Sequence, residues 1–186
     1  TEAINQIHQA IAGKNVLILA PGASLNDNCN QITSLAKDKE CVVISVSFVP
    51  NFIDTNYVFL SNLKRYETTF NPTKKKINLI TTSNIQVNET DNLTVNYSSL
   101  LNSEDAIRDN TSLMLLTLLT KLAPAKVYIA GMDGYEVHST NYYQERLTMK
   151  HNAEQAHVLN AAISKRIEQL SHQLNIEFIT PTLYMK

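Results

Sequence analysis

The 186-residue chain lacks most of the features that would point directly to a macromolecular partner. Its formal net charge of −1 gives no charge excess that would favour nucleic acid or an anionic membrane. No apolar run approaches the roughly 18 residues that a membrane span needs, and the N-terminus has no signal-peptide pattern. These absences predict a cytoplasmic protein whose partner is a small molecule.

Cysteine is also scarce. Cys29 and Cys41 are the only two, and neither belongs to a CxxC or Cys/His pattern with the spacing of zinc ligands. Two cysteines in a domain of this size do not make a disulfide framework, so we expect reduced thiols. The sequence therefore predicts no metal centre, and it indicates no bound cofactor.

The most informative motif is VLILAPGASL, at Val16–Leu25. Its first four residues are typical of a strand that is buried on both faces of a parallel sheet. Pro21 and Gly22 then end the strand, and Ser24 stands at the N-cap position of a following helix. Such a turn aims backbone N–H groups and the helix dipole at one place, which favours phosphate or another anion. Because it has a single glycine, the motif is neither a P-loop nor a complete G-x-G-x-x-G fingerprint.

Strand patterns and helix patterns alternate along the chain. This alternation predicts an α/β fold, with a Rossmann-like doubly wound and mainly parallel sheet flanked by helices. We expect a single domain over residues 1–186. The predicted helices are Ala3–Ala12, Leu25–Lys37, a strongly apolar Thr111–Leu122 and Asn152–Leu174; the predicted strands are Val16–Leu19, Cys41–Val46, Tyr57–Leu60, Ile77–Thr81, Leu93–Tyr97, Lys126–Ala130 and Ile176–Ile179.

In a doubly wound sheet, ligands bind beyond the carboxyl ends of the strands. Small and polar residues follow four of the predicted strands, where each one either contacts a ligand or satisfies the backbone of its own loop. The residues selected in this way are Gly22, Ala23 and Ser24, then Ser47, then Ser61 and Asn62, and finally Gly131, Asp133 and Tyr135.

The segment GMDGY, which contains the last of these groups, is the second notable motif. Its two glycines permit a sharp turn and a close backbone approach. Asp133 either hydrogen-bonds a ribose or sugar hydroxyl or holds its own turn. Tyr142 and Tyr143 lie on the polar loop that follows, where a tyrosine hydroxyl reaches a phosphate or the ring folds back onto the domain.

Among the histidines, His151 is the candidate for catalysis. It precedes a long helix, and an imidazole titrates near neutral pH, as a general base must. The competing interpretation is an exposed residue at the helix entry. His8, His157 and His172 fall in helical patterns, where packing or surface exposure explains them.

Three segments, APGASL, NTSLMLLTLL and VYIAGMDGY, resemble in that order the bacterial lipooligosaccharide sialyltransferases. They are also similar to Rossmann-like proteins of the pterin pyrophosphokinase-like group. The sialyltransferase resemblance implies a cytidine nucleotide lying across the strand ends. It implies Gly22 and Ser24 at the phosphate-side turn, Thr111 and Ser112 as donor contacts, Tyr135 with either Tyr142 or Tyr143 as phosphate contacts, and His151 near the catalytic histidine.

A second resemblance covers nearly the whole chain. VLILAPGASL, VVISVSFVPNFIDTNYVFLSNLKRY, ITTSNI, NYSSLL and VYIAGMDGY look like the C-terminal domain of certain bacterial aldolase-like proteins. Those proteins carry an N-terminal barrel similar to hydroxymethylglutaryl-CoA lyase and 4-hydroxy-2-oxovalerate aldolase, and they are associated with surface-polysaccharide gene sets. The resemblance implies that this chain, which opens on Thr1, is one domain of a longer lyase.

Two functions from different classes remain open at this point. The first is a domain that binds a nucleotide, nucleotide-sugar or sugar phosphate and serves an attached aldolase-like domain. The second is a sialyltransferase-like glycosyltransferase that uses a nucleotide-sugar donor, with His151 as base. A mainly structural domain that organises oligomers is a third possibility, and the sequence does not fix the oligomeric state.

Overall fold

The structure is a computed structural model that describes residues 1–70, 77–86, 92–137, 142–143 and 152–185. Strands and helices alternate through most of these residues, and two pairs of successive strands follow each other with no described helix between them. The strands are β1 (Asn15–Leu19), β2 (Val42–Val46), β3 (Tyr57–Leu60), β4 (Leu79–Thr82), β5 (Asn92–Val95), β6 (Lys126–Ala130) and β7 (Ile176–Phe178). The helices are α1 (Glu2–Ile11), α2 (Leu25–Asp38), α3 (Leu63–Phe70), α4 (Thr111–Leu119) and α5 (Ala153–Ser171), with short 3-10 turns at Ser98–Leu100 and Asp105–Ile107. Within these ranges, no helix is both long and apolar enough to cross a membrane.

The seven strands form one sheet in the order β5-β4-β3-β2-β1-β6-β7. Every pairing is parallel, from β4 with β5 at one edge to β6 with β7 at the other. The predicted doubly wound fold is therefore confirmed, and the sheet is entirely parallel. Because the chain builds outward from β1 in one direction and then returns to add β6 on its other side, the switch point of the sheet lies between β1 and β6.

Helices cover both faces of the sheet. Successive side chains of a strand point to opposite faces, and in β1 they alternate between two apolar clusters, with Val16 and Ile18 in one and Leu17 and Leu19 in the other. Helices α1, α4 and α5 pack on the first face and α2 packs on the second. All four of these β1 side chains are fully buried, which explains the uninterrupted apolar run that the sequence shows.

The apolar helix α4 lies inside the domain, as expected. Six of its side chains are buried, namely Leu113, Met114, Leu115, Leu116, Leu118 and Leu119. The helix ends at Leu119, three residues before the predicted end. There the N–H groups of Lys121 and Leu122 donate to the carbonyls of Leu118 and Leu119, so the last turn tightens.

Helix α3 was not predicted by the sequence analysis. Its segment, LKRYETTF, has apolar residues at helical spacing, but at eight residues it is shorter than the roughly 10–12 residues over which such a pattern indicates a helix. Among its described side chains, Tyr66 packs against the buried cluster that contains Val58 and Leu60 of β3. Tertiary contact therefore supports a helix that is too short to be recognised from its own sequence. The basic run Lys74–Lys76 lies outside the described residues.

The turns that follow β1 and β6 pack backbone against backbone at the switch point. The N–H of Ala20 donates to the carbonyl of Ala130 at 2.9 Å, and the N–H of Gly22 donates to that of Gly131 at 2.8 Å. A Cβ on Gly22 would lie 2.2 Å from the Gly131 oxygen, and one on Gly131 would lie 2.1 Å from the Ala20 oxygen. The two glycines are thus required by the contact between the turns themselves.

Replacing Gly131 by alanine should destabilise the domain strongly. Gly131 has a φ of +78° and no room for a Cβ. Backbone strain and the collision of the new Cβ should together lower the free energy of unfolding by about 3 kcal/mol or more. Gly13 is the matched control, because its φ of +69° is similar and no atom lies within 4 Å of the position that its Cβ would take. Gly13→Ala should cost only about 1–2 kcal/mol. Urea unfolding of both variants measures the difference, and equal losses would contradict the argument.

Candidate functional site

Two adjoining cavities lie at the carboxyl ends of the strands, and we call them together the strand-end cleft. The larger has a volume of about 300 Å³ and the smaller of about 80 Å³. Their shared walls are Pro21, Asn110, Ser112, Tyr135 and Tyr142. The cleft thus brings together residues from the β1 turn, the start of α4 and the β6 loop.

Nine of the residues predicted from the sequence line this cleft. Their chemistry is mixed, with hydroxyl, amide, phenol and carboxyl groups alongside bare backbone. The larger cavity is lined by Ser47, Asn62, Thr111, Ser112, Tyr135 and Tyr142, and the smaller by Gly22, Ser112, Gly131, Asp133, Tyr135 and Tyr142.

Ser47 enters the cleft in an unusual backbone conformation. Its φ of +66° lies in the left-handed region, which costs a residue with a Cβ about 1–2 kcal/mol. Its N–H donates to the carbonyl of Phe59 at 3.0 Å, and this bond ties the end of β2 to β3. A strained, buried serine at a strand end is consistent with a site whose geometry has been set for contact with a ligand.

The place where an anion would sit at the start of α2 is filled by Asp133. One carboxylate oxygen accepts the N–H of Ser24 at 2.8 Å and the other accepts its hydroxyl at 2.5 Å. Ser24 is the N-cap residue, as predicted, but its side chain makes no capping bond to the helix and binds Asp133 instead. The protein therefore supplies its own anion at this helix end.

Burial raises the pKa of the Asp133 carboxyl above its usual range. The side-chain and backbone hydrogen bonds from Ser24 act in the opposite direction, and the nearby charge of Glu136 adds to the rise. Burial has the larger effect because the carboxylate has lost much of its hydration. Asp133 is therefore held by its two hydrogen bonds from Ser24 in surroundings that disfavour the ionised form of its carboxyl group.

Three tyrosines gather beside Asp133. The hydroxyls of Tyr135 and Tyr142 are hydrogen-bonded to each other, and burial raises the pKa of both above the ordinary value. Tyr184 is buried as well, and its pKa is raised first by burial and then by Tyr135, Tyr142 and Asp133 around it. All three phenols stay protonated at neutral pH, so each one carries an O–H group in the wall of the cleft, and one member of the Tyr135–Tyr142 pair donates its O–H to the other.

Asn160 of α5 holds the backbone of Tyr135. Its side-chain oxygen accepts the N–H of Tyr135 at 2.9 Å, and its amide group donates to the carbonyl of the same residue at 2.9 Å. This pair of hydrogen bonds from one side chain fixes both the position and the orientation of the Tyr135 backbone. The Tyr135 ring therefore projects into the cleft from a fixed backbone.

The start of α4 forms the opposite wall. Asn110 is the N-cap, and its side chain accepts the N–H of Leu113 at 3.1 Å. The hydroxyl of Thr111 is 2.7 Å from that of Ser61, which joins the end of β3 to this helix. The first N–H groups of a helix have no partner within the helix, so the positive end of the α4 dipole faces the cleft.

The other predicted site residues lie outside the lining of the cleft. Ser61 is buried behind it, and Ala23 and Ser24 belong to the β1 turn. Tyr143 packs its ring against Phe48 and Phe52, with centroids 5.3 and 6.1 Å apart, and its hydroxyl donates to Asn51. Of the two tyrosines that the sequence left as alternatives, Tyr142 is therefore the one beside Tyr135. His151 lies outside the described residues.

Several residues of the site were not selected from the sequence. Asn110 carried a signal, since Asn before an apolar helix is a common N-cap. Arg65 lines the larger cavity from α3, a helix that the pattern did not reveal. Tyr184 and Asn160 come from the C-terminal segment and the middle of α5, and no local motif marks either one.

Other cavities and side-chain groups of the described residues are weaker candidates for a functional site. A larger hollow of about 560 Å³ lies at the amino ends of β3 and β5, beside Glu2, Tyr57 and Asn92, but it gathers none of the predicted residues. Among the described residues, no group of three His, Cys, Asp or Glu side chains is placed to hold a metal. His8, His157 and His172 are exposed on helices and do not line the cleft.

Comparison with models of known protein families finds no match, and comparison with curated proteins finds no relative. The chemistry of the strand-end cleft therefore carries the functional argument.

Removing the Asp133 carboxylate should leave a vacant anion site at the start of α2. In Asp133→Ala the N–H and hydroxyl of Ser24 lose their acceptor, and we expect a loss of about 1–3 kcal/mol in stability. Inorganic phosphate should then raise the melting temperature of this variant more than that of the parent protein, because a free helix start attracts anions.

Thermal unfolding in phosphate and in chloride at equal ionic strength measures this effect. Asp105→Ala is the control, because it removes one exposed carboxylate, which pairs with Arg108 on the same turn. The interpretation fails if phosphate stabilises all three proteins equally.

Proposed function

We propose that this domain binds a nucleotide, nucleotide-sugar or sugar phosphate in the strand-end cleft. The observation that carries the proposal is the convergence of Ser47, Thr111, Ser112, Tyr135 and Tyr142 on one cavity at the carboxyl ends of a doubly wound sheet. Ligands of parallel α/β sheets bind at this end. The volume of about 300 Å³ is at the lower end of the range for small-molecule sites.

The polar groups of the cleft suit a ligand that is rich in hydroxyl and phosphate oxygens. Ser47, Thr111 and Ser112 carry hydroxyls that donate or accept, and Asn62 and Asn110 carry amides that do both. Tyr135 and Tyr142 add aromatic faces as well as hydroxyls, and such faces stack on a base or a sugar ring. An apolar ligand would displace water from these polar walls without replacing the hydrogen bonds that the water makes, at a cost in free energy.

The proposed setting of this activity is a larger lyase. The support is the resemblance of five segments to the C-terminal domain of aldolase-like proteins associated with surface polysaccharides. In that setting the attached barrel would perform the carbon–carbon chemistry, and this domain would bind the phosphorylated or nucleotide-linked compound.

Thermal unfolding with a panel of nucleotides, nucleotide-sugars and sugar phosphates tests the proposal. A ligand at one hundred times its Kd stabilises the folded state by about 2.7 kcal/mol. For a domain of this size, that corresponds to a rise of about 5–10 °C in melting temperature. Ser112→Leu should abolish the rise, because its side chain would occupy the space that both cavities share.

Ser103→Leu is the matched control, because Ser103 is exposed and does not line the cleft. Each melting temperature is compared with that of the same variant without ligand, so a change in basal stability does not enter. If no phosphorylated compound stabilises the parent protein, or if Ser112→Leu responds as the parent does, the proposal is wrong.

A sialyltransferase-like activity is the second candidate. The observation that favours it is the hydrogen-bonded pair Tyr135 and Tyr142, which lies in the same cleft as Thr111 and Ser112. These are the residues to which the resemblance gives the phosphate and donor contacts. In this function the two phenols would stabilise the departing phosphate, and His151 would act as the base.

Turnover of a bound nucleotide-sugar distinguishes this candidate from simple binding. His151→Ala should lower hydrolysis or transfer by about 10²–10⁴-fold, the usual contribution of a general base. His8→Ala should leave turnover unchanged, since His8 lies exposed on α1. Unchanged turnover in His151→Ala would remove the histidine from that role, and binding without any turnover would leave the first function alone.

A further inference from the structure

We propose that Arg65 is the residue by which the strand-end cleft distinguishes a phosphorylated ligand from its unphosphorylated counterpart. This inference rests on the proposed function and names the contact that would set its specificity. No sequence motif marked Arg65, and the resemblances assign it no role. Its position in the fold, beside Tyr142 and the start of α4, carries the argument.

Arg65 is held close to the start of α4. It lies in the first turn of α3, directly after β3, and its N–H is accepted by the side chain of Asn62 at 3.2 Å. The preceding Ser61 contacts the hydroxyl of Thr111, and its carbonyl accepts the amide of Asn84 at 3.0 Å. These bonds fix the segment that carries Arg65 relative to the N-terminus of α4.

Among the described residues that line the two cavities, Arg65 is the only cationic side chain; the acidic ones are Asp133 in the smaller cavity and the exposed Asp109 in the larger. Arg65 is half-buried, and its charge is felt at Tyr142, where it acts against the rise in pKa caused by burial and by Tyr135. A partly buried charge is screened less by salt than an exposed one. The guanidinium therefore acts inside the cleft, in the same space as Tyr142.

The other groups of the cleft indicate which part of a ligand this cation would meet. Asp133 is already bound to Ser24 at the start of α2, so the anion position in the β1 turn is filled. The start of α4 contributes the positive end of its dipole to the same cavity that Arg65 lines. A planar guanidinium binds a phosphate through paired N–H donors, which lysine cannot reproduce. An anionic phosphate group is thus the ligand feature that fits between Arg65 and α4.

The test compares matched ligands that differ by one phosphate. The pairs are cytidine with cytidine 5′-monophosphate and glucose with glucose 6-phosphate, and isothermal titration calorimetry gives the Kd of each. The parent protein should bind the phosphorylated member of at least one pair more tightly. Arg65→Gln should reduce that preference about tenfold or more, the factor expected from losing a charged hydrogen bond.

Two further variants separate geometry from charge. Arg65→Lys keeps the charge but loses the paired donors, so it should retain only part of the preference. Lys64→Gln removes one positive charge from the neighbouring exposed position, which does not line the cleft, and should change the preference by less than about twofold. If Arg65→Gln does not fold, Arg65→Lys still tests the role of the paired donors.

The outcomes separate this inference from the proposed function. If the parent binds a phosphorylated ligand and Arg65→Gln keeps the same preference, Arg65 is not the discriminating residue, although the cleft still binds phosphorylated compounds. A parent protein that binds no member of either pair, and no other compound of the wider panel, overturns both. Equal losses in Lys64→Gln and Arg65→Gln would reduce the effect to general electrostatics and would also overturn the inference.

Discussion

The arrangement of the site depends on the contact between the turns that follow β1 and β6. In an open parallel sheet the switch point is a crevice, because the helices on its two sides leave toward opposite faces. Here Gly22 and Gly131 meet backbone to backbone in that crevice, and Asp133 reaches across it to Ser24. The space for a ligand therefore lies beside this contact, toward β2, β3 and α4.

Because the Asp133 carboxylate occupies the start of α2, this helix start does not need a bound ligand in the folded protein. The start of a helix such as α2 exposes N–H groups that need an acceptor, and Asp133 meets part of that need without any ligand. At α4, the Asn110 side chain caps the N–H of Leu113, and the cavity opens at Thr111 and Ser112. The first turn of α4 faces the cleft. The start of α4, and not that of α2, is thus the one that suits an anion from solution.

The sequence was enough to predict the fold because the strands are buried on both faces. Short aliphatic and β-branched runs such as VLIL, bounded by turn residues, are typical of such strands, and their succession with helices predicts a doubly wound parallel sheet. The local pattern was insufficient for α3, whose segment is only eight residues long and which packs on β3 through Tyr66. It was also insufficient for the choice between Tyr142 and Tyr143, since adjacent residues of a loop carry the same signal. In the fold, Tyr142 is hydrogen-bonded to Tyr135, whereas the Tyr143 ring packs on Phe48 and Phe52.

The remaining parts of the site depend on contacts between distant segments. The chain after β7 supports the β6 loop through three hydrogen bonds. The Thr180 hydroxyl accepts the N–H of Gly131 at 2.9 Å, and the Thr182 hydroxyl donates to the Met132 carbonyl at 2.7 Å. The N–H of Leu183 donates to the Asp133 carbonyl at 2.8 Å. Asn160 fixes Tyr135, two residues further along the same loop. Consecutive residues of this wall are thus held before any ligand arrives. A wall that is already ordered spares a ligand the entropy of arranging it, so the affinity of the cleft should be set by the groups that line it, and by Arg65 and the start of α4 where the ligand is charged.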